Sequence, residues 1–310
     1  MGSTTKRSAK DAKGNGRDLG STTRRNGNGA KRNRGLREKK GSTMRTDCHI
    51  HVRGGKCEAG PILEQMDRLK IDKMVLMGSG AAKTPAAQKK SDDELSKLCS
   101  ADRRRLVGFA RIEPQLAGTT DEIRRCREKL GLVGIKMLPD HWAPCDEFMH
   151  PVYKTIEAMG MPIIFHSGIL WGNADSSRFC RPANYEAVIF FPKLKIALAH
   201  IGWPWVDECI AVVDRFVDMA KRDGRKSSQV WIDCTPGTPP VYRKEALRKA
   251  LAVCGAPVML YGSDLAVPGD LSIIAGRMET DIRLLRELGC KQEEIDMVLG
   301  SNLDRFLEAE

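Results

Sequence analysis

The sequence predicts an α/β protein, a (β/α)8 TIM barrel preceded by a disordered basic segment, and three observations support this. Short apolar runs alternate with longer amphipathic runs eight times between residues 44 and 310. The apolar runs are nearly continuous, as in parallel strands that are buried on both faces. Eight such units in about 265 residues match the usual size of a TIM barrel. A doubly wound sheet is the alternative, since alternation alone does not separate the two folds.

The eight predicted strands are short and rich in valine, isoleucine, leucine and methionine. They are Thr46–Val52, Lys73–Met77, Leu106–Ile112, Val133–Leu138, Pro162–His166, Lys195–His200, Val230–Cys234 and Val258–Tyr261. Between them lie segments with one apolar face at helical spacing. The clearest covers Val206 to Met219, and Asp121–Leu130 and Lys244–Val253 show the same pattern.

Residues 1–43 differ in composition from the rest of the chain. They hold thirteen Lys and Arg against three acids, which accounts for +10 of the net charge of +11. With almost no large apolar residue, this segment cannot bury enough surface to offset its ordering entropy, so we expect it to be disordered. It could attract nucleic acid or an anionic membrane. A solvated tail without a binding role, or a natural start at Met44, is the favoured alternative.

The ten cysteines include no C-x-x-C pair and no zinc-ribbon spacing, so we interpret them as reduced and mostly buried residues. No apolar run approaches the length of a membrane span. We therefore expect a soluble, cytoplasmic protein with two parts, a tail over 1–43 and a catalytic domain over 44–310.

A D-x-H-x-H motif, Asp47-Cys48-His49-Ile50-His51, occupies the first predicted strand. Residues at i and i+2 of a strand point to the same side, so the two imidazoles can reach one ion. His166, His200 and Asp264 also follow apolar strands, and in a barrel such ends converge on one face. The sequence therefore predicts a metal site at that face.

The residue types also suggest roles at this site. His49, His51, His166 and Asp264 form a suitable zinc or manganese set with a position left for water. Asp264 could both hold the metal and accept a proton from water, and His200 could act as general acid or base. Taken singly, a histidine such as His166 is more often a hydrogen-bonded core residue, and Asp264 could cap a helix. Taken together, these structural roles would require several independent coincidences at matching strand ends, so a shared metal site explains the residues better.

Candidate substrate-binding residues lie at the strand ends and in the loops that follow. Aromatic side chains there can wall a planar or small cyclic substrate, and Arg53 or Arg178 can clamp a carboxylate. For any single Trp, packing of its loop onto the barrel rim explains the presence of the side chain there equally well. The full predicted set is Arg53, Lys136, His141, Trp142, Trp171, Arg178 and Trp203.

Taken in order, the motifs resemble the amidohydrolase superfamily, and most closely its amidohydrolase-related (amidohydrolase 2) branch. The similarity spans Thr46 to Leu307 and departs from the usual pattern where Leu265-Ala-Val separates Asp264 from Pro268. The matching segments are D-x-H-x-H, Gly134-Ile-Lys136, Pro162-Ile-Ile-Phe-His166-Ser-Gly168, His200-Ile-Gly-Trp-Pro, Gly262-Ser-Asp264 and Val298-Leu-Gly-Ser-Asn302-Leu-Asp-Arg-Phe306.

The resemblance implies that His49, His51, His166 and Asp264 bind one divalent metal, with zinc expected first and manganese second. His200 then matches either a catalytic histidine or a ligand of a second metal. Lys136 stands where binuclear members carry a carbamylated lysine, although one metal is favoured. The branch also implies pairing of barrels into homodimers.

These features predict a metal-dependent hydrolase that uses activated water on a small lactone or amide, with a carboxylate-bearing substrate. Within the same fold, the alternative is a non-oxidative, metal-dependent decarboxylase of a small aromatic or unsaturated acid. An alternative of another class is a non-catalytic barrel whose basic tail binds nucleic acid or membrane.

Overall fold

The structure is a computed structural model that describes residues 44–54, 57–78, 82–172 and 174–308. The disordered tail predicted for residues 1–43 lies outside the described residues. Within them, nine parallel strands form one sheet with helices in the connections, which confirms the TIM barrel. No helix of the described part of the chain combines the length and apolar character needed to cross a bilayer.

Strands β1 to β8 follow one another in the sheet in chain order, each paired in parallel with the next, and β9 pairs in parallel with β1. They are β1 Thr46–Val52, β2 Lys73–Gly78, β3 Leu106–Arg111, β4 Gly134–Met137, β5 Ile163–Phe165, β6 Ile196–Leu198, β7 Val230–Asp233, β8 Met259–Leu260 and β9 Leu265–Val267. All eight predicted strands are present, most of them one or two residues shorter than the apolar runs. The runs are longer because apolar side chains continue into the loops that cap the barrel.

The barrel closes where β8 and β9 meet β1. Tyr261 accepts a hydrogen bond from the Cys48 amide at 2.9 Å, and the Asp264 amide donates to His49 O at 3.0 Å. β9 then pairs with the end of β1, from Ile50 opposite Leu265 onward. The eighth strand is therefore interrupted at Gly262–Asp264, and β9 was not predicted from the sequence.

The helices lie between successive strands, and the longer ones bury one apolar face. The predicted helix from Val206 is confirmed and extends to Arg222, with Val213 and Phe216 on its buried side. The helices are α1 Ala59–Leu69, α2 Pro85–Cys99, α3 Thr119–Glu128, α4 Met149–Ala158, α5 Ser176–Phe179, α6 Val206–Arg222, α7 Pro240–Val253, α8 Ile273–Glu287, α9 Gln292–Asp296 and α10 Asn302–Leu307. Short 3-10 or π turns occupy Pro182–Phe190, Ala199–Gly202, Ala256–Val258 and Met297–Ser301.

The strands pack into one hydrophobic core. Close packing is most evident at Gly134, where an added Cβ would lie 2.3 Å from the Phe109 ring, so only glycine fits. The ten cysteines are free thiols and seven of them are buried, as the sequence predicted. Against this apolar background, buried polar side chains stand out at the carboxyl ends of the strands.

Candidate active site

Three side chains from β1 and the β8–β9 break converge at the carboxyl end of the barrel. His49 Nε2 lies 3.2 Å from His51 Nε2, and His51 Nε2 lies 3.1 Å from Asp264 Oδ1. The Oδ1 atom is also 3.5 Å from His49 Nε2. Two imidazole nitrogens and one carboxylate oxygen thus face a common point, with their ligand atoms within 4.8 Å of one another.

Asp233, at the end of β7, stands behind His49. Its Oδ2 atom accepts a hydrogen bond from His49 Nδ1 at 2.6 Å, and both side chains are buried. This contact places the imidazole proton on Nδ1 and leaves the lone pair of Nε2 directed at His51 and Asp264. Metal-binding histidines typically have such a carboxylate behind them.

The charge states of these groups suit a cation. Burial lowers the pKa of His49 well below its usual 6.5, and the nearby Lys136 ammonium lowers it further, so the imidazole is neutral. Burial would raise the pKa of Asp264, but the contact with His51 and the nearby His49 and His200 imidazoles hold it below its usual 3.8. A neutral imidazole at His49 and an ionised carboxylate at Asp264 are the protonation states that metal binding requires of these two groups.

The donor set therefore fits a divalent metal. Nitrogen and carboxylate oxygen donors suit zinc or manganese, and a shared cation would stabilise the 3.2 Å approach of the two imidazole nitrogens. The fourth predicted ligand, His166, lies near these groups but is not part of the metal triad of His49, His51 and Asp264. Its Nε2 contacts Ile169 O at 3.2 Å, and its ring centroid lies 5.0 Å from that of His200.

Asp47 fixes the backbone that carries the ligands. Its Oδ1 atom accepts hydrogen bonds from the amides of His49 and Ser263, each at 3.0 Å. Burial raises the pKa of Asp47 to about 7, and these hydrogen bonds lower it in part. One carboxyl group therefore holds both β1 and the β8–β9 break, so Asp47 supports the ligands from behind without facing them.

His200 occupies a strained turn after β6. Its φ is 62° and that of Ile201 is 53°, in the left-handed region that such residues rarely adopt. Its Nδ1 contacts Thr235 Oγ1 at 2.8 Å, and an added Cβ at Gly237 would lie 2.4 Å from the ring. The imidazole is thus clamped from two sides at the wall of the cavity, where strained backbone commonly marks function.

Lys136, at the C-terminal part of β4, also reaches His49. Its Nζ lies 3.3 Å from His49 Nε2, and the side chain is buried. Burial lowers the pKa of Lys136 to about 8, although Asp233 and Asp264 oppose the shift. Part of the lysine population can therefore be neutral near physiological pH.

The triad opens into a cavity of about 390 Å³. Of the predicted substrate-binding residues, Lys136, Trp171 and Trp203 line it, together with His166 and His200. The Trp171 and Trp203 rings stack with centroids 6.2 Å apart and an interplanar angle of 18°. Apolar side chains of the loops after β4 and β5 complete the wall.

Four predicted substrate-binding residues do not line this cavity. Arg53 borders a separate cavity beside α1 and α2, and Arg178 is exposed on α5. His141 pairs with Asp140 and, at 3.5 Å, with Glu113. Trp142 is buried in the core. In the sequence these residues follow the strands whose ends carry the site, but the course of each loop directs their side chains away from this cavity.

Sequence reasoning missed Arg111, which ends β3 and lines the cavity. Its guanidinium makes no hydrogen bond or ion pair within the residues that the structure describes. Burial lowers its pKa, and the more distant Asp140 and Glu113 oppose the shift only in part. The signal was available, because Arg111 is a charged residue at the end of an apolar strand. Asp233 shows a comparable signal, because it is a charged residue at the end of the apolar strand β7.

The molecule is thus a TIM-barrel protein with a candidate metal site at the carboxyl ends of its strands. The profile of the family described as amidohydrolase matches residues 46–308. The chain therefore belongs to this family, the amidohydrolase 2 family, as its motifs indicated. No curated protein matches the chain.

Solved structures of low sequence identity share the fold. A 2,6-dihydroxybenzoate decarboxylase from Rhizobium is 15% identical with a TM-score of 0.62, covering 86% of this chain and 99% of that one. A 5-carboxyvanillate decarboxylase from Novosphingobium aromaticivorans, complexed with manganese, is 14% identical with a TM-score of 0.60, covering 85% and 96%. A candidate 2-pyrone-4,6-dicarboxylic acid hydrolase from Pseudomonas putida is 16% identical with a TM-score of 0.58, covering 86% and 98%.

Proposed function

We propose that the protein is a metal-dependent hydrolase that acts on a small lactone or amide bearing a carboxylate. The observation that carries this proposal is the convergence of His49 Nε2, His51 Nε2 and Asp264 Oδ1 at the base of a cavity. When bound there, a divalent metal such as zinc or manganese polarises a carbonyl and lowers the pKa of water. His166 belongs to the proposed ligand set as its fourth member.

Each cavity residue then has a role that its environment supports. Asp264 is ionised and can accept a proton from water. His200, held by Thr235, faces the cavity and can pass a proton to the leaving group. Arg111, which has no ion-pair partner among the described residues, offers its cation to the carboxylate of the substrate, a role that the sequence had suggested for Arg53 or Arg178.

The second candidate is a non-oxidative decarboxylase of a small aromatic or unsaturated acid. Its support is that two of the structural neighbours are named as decarboxylases of aromatic acids. In that reaction a protonated group must deliver a proton to carbon, and Lys136 and His200 are the cavity residues placed to hold one. The same ligand triad serves both reactions, so only the products separate them.

The first test is metal content per chain, measured by elemental mass spectrometry on the wild type and on His49→Ala. We expect about one zinc or manganese per wild-type chain and its loss in the variant. Two metals would instead support a carbamylated Lys136 and a binuclear site. No metal in the wild type, even after reconstitution, would contradict the proposed function.

The second test separates the two reactions in the metal-loaded protein. For the hydrolase we expect acid release from a panel of lactones, followed with a pH indicator, or amine release from a panel of amides, followed with an amine-reactive dye. Release of carbon dioxide from hydroxybenzoates without acid release from lactones would identify the decarboxylase. Turnover of neither class by a protein that holds its metal would contradict both proposals.

A further inference from the structure

A second cavity of about 730 Å³ adjoins the catalytic cavity. The two cavities share three wall residues, Trp171, Pro236 and Gly237. Their boundary is therefore the indole of Trp171 and the loop that follows β7. A ligand held at the metal triad needs only to pass this boundary to enter the second cavity.

The walls of the second cavity expose apolar surface that has no partner in the described part of the chain. Trp171 is 80% exposed and Ile273 is 52% exposed. A proline-rich stretch, 236–240, forms the side next to α7. Large apolar side chains grouped around a concavity commonly mark a site that a ligand covers.

Charged residues that line the second cavity are hydrogen-bonded to one another and to the segment that carries the metal site. Arg243 is buried and forms a two-pronged ion pair with Asp281, and it also donates to Cys234 O at 2.9 Å. Arg277 donates to the carbonyl of Ser263, the residue before Asp264. The wall of the second cavity is thus hydrogen-bonded to the residue next to the proposed ligand Asp264.

We propose that this second cavity is a substrate subsite that holds an apolar extension, an aryl or branched acyl group, attached to the acid whose reacting end lies at the metal triad. This inference rests on the proposed function for the position of the reacting end. The catalytic cavity alone lies near the lower limit of ligand sites, which span about 300–1,000 Å³. Together the two cavities fit a substrate of two rings better than one of a single ring.

Gly276 on α8 allows the subsite to be blocked without disturbing the metal triad. An added Cβ at Gly276 meets nothing within 4 Å, so Gly276→Leu places a side chain in open space at the cavity wall. Leucine also favours a helix over glycine, so the variant should fold. Gly60 on α1 has the same open surroundings and does not line this cavity, which makes Gly60→Leu the matched control.

The test is calorimetric binding of two probes, benzoate and biphenyl-4-carboxylate, to the full-length metal-loaded protein. We expect the biphenyl acid to bind about tenfold more tightly than benzoate, because the second ring leaves water. Gly276→Leu should remove this advantage while benzoate affinity stays unchanged, and Gly60→Leu should retain it.

Two results would overturn the subsite. One is equal affinity of the wild type for both acids, and the other is an equal advantage of the biphenyl acid in both variants.

Failure of the proposed function has a different signature, since metal content and benzoate binding are measured separately. A protein that binds the biphenyl acid equally with and without metal, and loses that binding in Gly276→Leu, would keep the cavity as a binding site and contradict the metal-dependent reaction. Binding of neither acid would count against both.

Discussion

At the scale of single residues, the position of a proton on one imidazole organises the site. His49 donates from Nδ1 to the buried carboxylate of Asp233, and only then is its Nε2 free to act as a ligand. The carboxylate also makes the imidazole a better electron donor. Asp233 thus affects the metal without touching it.

Asp233→Asn should therefore weaken metal binding without removing the ligands. The amide oxygen can still accept from Nδ1, but it lacks the charge, so we expect a loss of about 10–100-fold in metal affinity. Competition with a chromogenic chelator measures this directly. Asp218→Asn, an exposed change on α6, is the control. Equal affinity of both variants would show that Asp233 does not act through His49.

Arg111→Met tests whether the unpartnered guanidinium recognises the carboxylate of the substrate. We expect the Kd of benzoate to rise by about 10–100-fold, because a charge-assisted hydrogen bond in a partly buried site is lost. The matched control is Arg178→Met, which removes an exposed guanidinium outside the cavity. If benzamide, which is neutral, loses as much affinity as benzoate, the effect is steric and the role is wrong.

The residues that sequence could and could not predict differ in a physical way. The histidines and Asp264 end strands, and strand ends of a barrel converge by topology alone, so they could be predicted as a group. Arg53 and Arg178 lie in loops, whose course depends on tertiary contacts that no local pattern records. Arg111 carried the strand-end signal, yet a single arginine has no motif partner to draw attention to it.

At the scale of secondary-structure elements, α2 and α3 meet through buried acids. Asp92 and Glu122 are 1% and 5% exposed, and with Cys126 their polar atoms lie within 4.8 Å of one another. Burial raises the pKa of Asp92 from 3.8 to about 8, and the neighbouring Glu122 carboxyl raises it further, against a hydrogen bond from Gln88. A carboxyl group that is neutral in the folded state makes this contact sensitive to pH.

Asp92→Asn should make the protein less sensitive to alkali. Since the folded pKa lies above the unfolded one, the folded state binds the extra proton, and the stabilisation present below about pH 4 is lost as the pH rises to about 8. Urea unfolding between pH 5 and 9 should show the wild type losing stability relative to the variant, by at most about 1.4 kcal/mol per pH unit. Glu94→Gln, exposed on the same helix, should leave the profile unchanged. Parallel profiles for wild type and Asp92→Asn would contradict the assignment.

The strands themselves followed from their apolar runs, but the break in the eighth did not. The apolar pattern predicts one eighth strand, Val258–Tyr261, and Leu265-Ala-Val stands out only as a departure from the family pattern. In the structure these residues are β9, which pairs with β1 after the chain turns at Asp264. A turn inside a strand depends on a single backbone conformation, which hydrophobic periodicity does not register.

At the scale of the whole molecule, a metal that binds only the folded barrel stabilises it. At a free concentration about 100 times the Kd this amounts to about 2.7 kcal/mol. For a domain of this size we expect chelation to lower the melting temperature by about 5–10 °C, with recovery when zinc or manganese is restored. His51→Ala should melt at the same temperature with and without chelator. A wild type that does not respond would exclude the proposed metal centre.

If the protein binds nucleic acid, we expect residues 1–43 to be the part that binds, because the remaining 267 residues carry a net charge of only +1. A form that begins at Met44 should keep the melting temperature and the turnover of the full chain. A gel-shift series at rising salt compares the two forms. Salt-sensitive binding that disappears on truncation would support the tail as a binding arm. Binding that persists in the shorter form would contradict this charge argument.

The conformation of Asp264 limits which variants of this protein can exist. Its φ of 58° lies in a region that asparagine, aspartate and glycine tolerate and that branched or bulky residues avoid. Its carboxylate is at the same time one of the three converging ligand atoms. The residue at position 264 must therefore meet two independent requirements, a left-handed backbone conformation and a negative charge, and aspartate alone meets both. In a library of all single substitutions, we expect glutamate at 264 to be depleted as strongly as alanine, whereas at positions that demand only a charge it would survive.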